Sequence, residues 1–285
     1  MKKIWKQSGK KLVCGILAAA VAFTASGADG IGSFTPKKAE ASVKIIYDKF
    51  AGKESTAEVD LDGDGKNETV EISLSGTEES CKAVVKVNDE IALESEELFD
   101  CYDATASYIK LSSKKIFLGL CVTGPNDDPQ IDNIYRYDTK TGKLVSVLTL
   151  DSVAWKKGAN HIYASVGTKD GKLKVKYSGQ IVAAGFVTFT YQYQYKNGKF
   201  VRTSDTATVT PKLHKATFKV KKKLTFYKKP GSKVKAFTIK SGKSVTIKKV
   251  KIYKNAYYLQ FKYGKKTGWI YGDKYDIFED VQLAG

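Results

Sequence analysis

Twelve consecutive residues carry the strongest chemical signal in the chain: Asp60-Leu61-Asp62-Gly63-Asp64-Gly65-Lys66-Asn67-Glu68-Thr69-Val70-Glu71. Acids fall at alternate positions and the run closes on another acid, the spacing D-x-D-x-D-G-x5-E. A hard divalent cation such as calcium takes about six to eight oxygen ligands, so a short loop must turn several carboxylates toward one point. Asp60, Asp62 and Asp64 supply alternate side chains. Gly65 allows the sharp turn. Lys66 offers only its backbone carbonyl, and Glu68 and Glu71 are the candidates to close the shell. The expected cofactor is Ca2+, in a structural role that ties the turn down.

The flanks separate two kinds of loop. Helices on both sides would make an EF-hand, but Thr69-Val70-Glu71-Ile72-Ser73-Leu74 alternates as a strand does. The run therefore resembles the loops of FG-GAP or VCBS-type extracellular β repeats, where a similar D-x-D-G-D-G loop leads into a strand. The resemblance covers this loop and its following strand, without the FG-GAP half of the signature. It implies Glu68 as the acidic ligand, with Glu71 facing solvent.

Other chemistry is thin. A Cys–His nucleophile needs a positioned histidine, and the chain has only His161 and His214, one in a turn and one in a linker. There is no G-x-S-x-G elbow, no H-E-x-x-H helix and no phosphate-cradling glycine loop. The expectation is a non-enzymatic protein. The alternative is an extracellular hydrolase that uses an unrecognised pair of carboxylates as acid and base.

Around these residues the chain divides by composition. Lys2, Lys3, Lys6, Lys10 and Lys11 precede an uncharged, mostly apolar run from Leu12 to Thr24, and Ala39-Glu40-Ala41 offers a small-residue cleavage site. Residues 1–41 thus read as a signal peptide, with a second possible cleavage after Ala28. The apolar run is too short for a comfortable membrane span, and no other segment reads as one. Secretion, to the medium or the cell wall, follows as an expectation. Cleavage would leave Cys81, Cys101 and Cys121. An odd, sparse set favours three buried thiols, with one disulfide plus one thiol as the alternative.

Residues 42–211 read as an antiparallel β domain: a meander, sandwich or propeller-like sheet. Thr188, Thr190, Gln192 and Gln194 alternate with Phe189, Tyr191, Tyr193 and Tyr195, the period of a half-buried strand. Thr69 to Leu74, Ala83 to Val87, Ile116 to Val122, Asn133 to Tyr137 and Leu144 to Leu150 are further strands. Thr141-Gly142, Asp170-Gly171 and Asn197-Gly198 read as hairpin turns. Val43 to Phe50 and Glu94 to Tyr102 read as short helices.

Residues 212–285 are different. They hold 20 lysines against 4 acids, and Pro211 marks the change because it cannot donate to a ladder. Leu224-Thr225-Phe226-Tyr227-Lys228-Lys229-Pro230-Gly231-Ser232, the turn at Ser241-Gly242, Tyr257-Tyr258-Leu259-Gln260-Phe261 and Gly268-Trp269-Ile270 follow one another in the order of bacterial SH3-like (SH3b) domains, which this segment resembles. The resemblance implies a small SH3-like barrel that binds cell-wall peptides or glycans. Tyr227, Tyr257, Tyr258, Trp269 and Tyr271 are the candidate stacking surface, although most of these aromatics are expected to pack the core, Trp269 among them. The lysine excess attracts polyanions. Arg136 and Arg202 are the only arginines, which disfavours base-specific nucleic-acid readout. An anionic wall polymer is the better partner for an exported chain, and the sequence as a whole suggests a mainly β, wall-retained binding protein.

Overall fold

The computed structural model describes residues 41–49, 55–77, 79–125, 128–150, 153, 156–210 and 216–281. The expected signal peptide (apart from Ala41), the linker at Pro211 and His214 lie outside the described residues.

All the named elements among these residues are strands, and every pairing between them is antiparallel. Numbered in chain order, the strands form three sheets. The first runs β2 (Thr56–Val59), β3 (Glu68–Gly76), β4 (Ser80–Val87), β5 (Glu90–Glu94), with β6 (Leu98–Phe99) also on β4. The second runs β1 (Ser42–Asp48), β7 (Asp103–Ser112), β8 (Lys115–Thr123), β9 (Pro129–Asp138), β10 (Lys143–Thr149). The third runs β11 (Ala159–Lys169), β12 (Lys172–Ile181), β13 (Gly185–Lys196), β15 (Thr206–Val209), β19 (Ser244–Tyr253), β20 (Ala256–Tyr263), β21 (Lys266–Tyr271), β17 (Leu224–Tyr227), β18 (Lys235–Ile239). Two short strands, β14 (Lys199–Arg202) and β16 (Thr217–Lys219), attach to β13 and β19.

The second sheet is the middle layer of a stack. Side chains alternate across a strand, so its two faces feed two cores. Ala104, Ala106, Leu118 and Leu120 meet Val70, Ile72 and Val85 of the first sheet. Ile109, Phe117, Ile134 and Val147 meet Val175, Tyr177 and Phe189 of the third. This position explains β8, which is buried at every residue after Lys115. A strand covered on both faces reads as an apolar run instead of an alternation.

Neither expected helix forms among the described residues. Where a helix is expected from Val43, β1 runs over Ser42–Asp48; its Ile45 and Ile46 suit a pleated surface and its backbone pairs with β7. Glu94 to Tyr102 holds only the end of β5 and β6. The anticipated hairpins are present: Asp170 and Gly171, like Asn197 and Gly198, have positive φ at both turn positions, which matches the strand twist. Cys81 and Cys101 form a disulfide, and Cys121 is buried outside it, so the alternative to three thiols holds.

The C-terminal strands do not close. The third sheet ends on β18, so among the described residues the expected small barrel is an open, curled extension of a larger sheet. β15 pairs with β13 on one side and β19 on the other. Strands before and after residue 211 thereby share one sheet and one core. No helix among the described residues is long and apolar enough to cross a membrane.

Candidate functional site

The acidic loop connects β2 to β3 and is held by its own carboxylates. Gly63 N–H donates to Asp60 Oδ1 at 2.6 Å, Asp64 N–H to Asp62 Oδ1 at 2.9 Å, and Lys66 N–H to Asp64 Oδ1 at 2.7 Å. Leu61 N–H donates to Glu68 Oε2 at 2.6 Å, and the Tyr108 hydroxyl reaches the Asp60 carbonyl at 3.0 Å. Gly63 has φ +83°, and a Cβ there would lie 2.3 Å from the Ser113 carbonyl. The loop backs directly onto the β7–β8 turn, which only glycine allows.

Carboxylate oxygens of Asp60, Asp62 and Glu68 lie within 4.8 Å of one another. Glu68 is buried, and burial pushes its pKa up, reinforced by the charges of Asp62, Asp60 and Asp64 and opposed by the Leu61 amide. Such a group favours either a proton or a cation. Each of the three acids has an oxygen on a loop amide and a second left over, a donor set that fits a hard divalent ion. Asp64 falls outside this triad. Glu71 is corrected out of the set: β3 turns Glu68, Val70 and Ile72 to the core, so Glu71 faces the other way, 3.6 Å from Lys86. Tyr108 was not legible from the sequence, since it is 48 residues from the carbonyl it meets.

The second cluster is aromatic. Antiparallel register sets Tyr258 opposite Tyr271, Gln260 opposite Trp269 and Tyr227 opposite Trp269. Because Trp269 and Tyr271 are two apart, Tyr227, Tyr258, Trp269 and Tyr271 all stand on one face. They line a groove of about 260 Å³ together with Lys229 and Lys274. The Tyr258 and Tyr271 rings are 5.5 Å apart. One wall is the Lys229-Pro230-Gly231 turn, whose Gly231 has φ +70° and would carry a Cβ 2.8 Å from the Tyr253 ring. Burial and the neighbouring Asp273 raise the Tyr271 pKa, so its hydroxyl stays a donor at neutral pH.

Two of the five expected residues behave differently from the rest. Trp269 is 8 % exposed and meets the groove only as a packed wall, in keeping with a mainly structural role. Tyr257 is corrected out: it is fully buried, and its hydroxyl donates to the Val153 carbonyl at 2.5 Å. Chain neighbours on a strand point to opposite faces, so Tyr257 and Tyr258 cannot both line one groove.

No family model matches the chain, and no curated protein or solved structure is similar to it at a significant level.

Proposed function

We propose that this is a secreted, non-enzymatic binding protein, retained at the bacterial cell wall by the aromatic groove of its lysine-rich C-terminal segment. The observation that carries the reading is the groove itself. Four aromatic side chains converge on one face beside Lys229 and Lys274. Aromatic faces stack on sugar rings and peptide planes, and the net charge of +16 on residues 212–285 draws the chain to anionic wall polymers. The ligand class is a wall peptide or glycan, with the polymer charge adding long-range attraction.

Calcium has a structural part in this reading. Asp60, Asp62 and Glu68 would hold it, neutralising an acidic cluster that otherwise repels itself. The ion would be coordinated by their oxygens and would take no part in any reaction.

The test is co-sedimentation of the purified protein with Gram-positive walls across a salt series. Attraction by charge alone is screened within about 3 Å at 1 M salt, whereas stacking in a groove is not. Pelleting that survives high salt supports the groove. Pelleting that vanishes in salt reduces the proposal to bulk charge, and no pelleting at any salt removes it.

A further inference from the structure

The third sheet packs one face into the core, and its other face continues outward from the aromatic groove. Residues directly opposite on antiparallel strands share a face, so the register can be followed from strand to strand. Lys176 of β12 stands opposite Thr190 of β13, and Thr190 opposite Thr208 of β15. Thr208 stands opposite Lys249 of β19, Lys249 opposite Gln260 of β20, and Gln260 opposite Trp269 of β21, the wall of the groove. One unbroken row therefore crosses six strands, from both sides of residue 211, over about 24 Å at about 4.8 Å per step. Lys176, Thr208 and Lys249 are exposed, and Thr190 and Gln260 are half-buried.

The charge on this face has one sign. No strand of the third sheet contains an aspartate or glutamate. Acids occur in the turns, as Asp170 and Asp205 do, and Asp205 is paired with Lys251. Lys174, Lys176 and Lys249 have no ion-pair partner among the described residues. At the far end Lys169 stands directly opposite Lys172, two like charges that repel. The first sheet shows the ordinary solution on a wet face, with Lys82 on Glu94 at 2.8 Å and Lys86 on Glu71 at 3.6 Å. Lysines can also guard a sheet edge, but β12 and β19 are paired on both sides and have no edge to guard.

The row also selects among polyanions. Lys176 and Lys249 are three strands apart, about 14 Å, and the two residues between them are threonines. Single-stranded nucleic acid is held by aromatic platforms under successive bases, and from Lys176 to Gln260 the row has hydroxyls and an amide in their place. Charges separated by hydroxyls match a chain of phosphates joined by hydroxylated links. From this arrangement we infer that the face binds a linear, phosphodiester-linked polyol laid across the strands. Its phosphates meet Lys176 and Lys249, its hydroxyls meet Thr190 and Thr208, and one end enters the groove. Only that last contact rests on the wall-binding reading.

Calorimetric titration of the full chain with poly(glycerol phosphate), and with an oligothymidylate of equal charge, at about 50 and about 200 mM salt tests it. The polyol polymer binds, and more tightly than the oligothymidylate. The double variant K176Q/K249Q weakens that binding about fivefold or more and lowers the slope of log affinity against log salt by about one. The charge-matched variant K114Q/K140Q, on turns of the second sheet, leaves affinity within about twofold. All four side chains are exposed, so folding is not at risk. The inference is overturned if the polymer does not bind, if the oligothymidylate binds as tightly, or if the two double variants weaken binding equally. Wall pelleting in about 1 M salt, where charge is screened, reads the groove separately. A chain that pellets there but does not bind the polymer overturns the face and leaves the groove standing, and a chain that binds the polymer without pelleting does the reverse.

Discussion

Tyr257 and Tyr258 are neighbours on β20 with opposite fates. The Tyr257 hydroxyl donates to the Val153 carbonyl inside the core, while Tyr258 stands in the groove with its ring 5.5 Å from that of Tyr271. The pair separates stability from binding. Tyr257→Phe leaves the Val153 carbonyl unmet and costs about 1–2 kcal/mol. Tyr258→Ala costs less than about 1 kcal/mol but weakens wall binding. Urea midpoints and sedimentation on the same preparations check both.

The acidic loop predicts a cation-dependent stability. Calcium at about a hundred times its Kd raises stability by about 2.7 kcal/mol. Glu68→Gln removes most of that gain, and Glu71→Gln, on the opposite face, leaves it intact. Thermal melts with calcium and with chelator distinguish the two. An unchanged melt in wild-type protein would count against the metal.

The same residue sets a pH dependence. In chelator the folded-state pKa of Glu68 lies above its unfolded value, so its contribution is fully present below the unfolded value and is lost as pH rises through the folded one. Calcium binds the ionised form and reverses that trend. The difference in urea midpoint between Glu68→Gln and wild type, followed from pH 4 to 7 with and without calcium, checks the sign.

Alkaline unfolding follows from the tyrosines. Burial raises Tyr191 to about 12, against the pull of Arg202, whose guanidinium lies 4.9 Å from its ring centre. A raised pKa contributes stability that is complete below the unfolded value near 10 and lost as pH climbs toward 12. Tyr191→Phe flattens the fall in stability across that window. Denaturation midpoints from pH 9 to 12 show it.

The disulfide joins residues 20 apart in sequence, a loop for which the chain-entropy estimate is about 3 kcal/mol. Cys81→Ala/Cys101→Ala loses about that much in urea unfolding. In native protein Cys121, 5 % exposed, resists alkylation until denaturant is added, as mass spectrometry of the alkylated peptides will show.

Local signals were legible where local physics decides. Asn197-Gly198 and Asp170-Gly171 announce hairpins because positive φ is needed at both positions. Asp60 to Glu68 announces a loop because its acids cap its own amides. What the sequence did not show depends on partners far along the chain. Ser42–Asp48 becomes a strand through pairing with β7, and the C-terminal strands join the larger sheet because β15 bridges β13 and β19. The groove was half legible. Its aromatic types were visible, but only register separates Tyr258 from Tyr257.

The central claim is that the aromatic groove holds the protein on walls. Sedimentation of wild type and Tyr258→Ala/Tyr271→Ala with purified walls in 1 M salt tests it most directly. The account predicts that wild type pellets and the double variant, folded and melting cooperatively, stays in solution. Equal pelleting of both, or none by either, would contradict it.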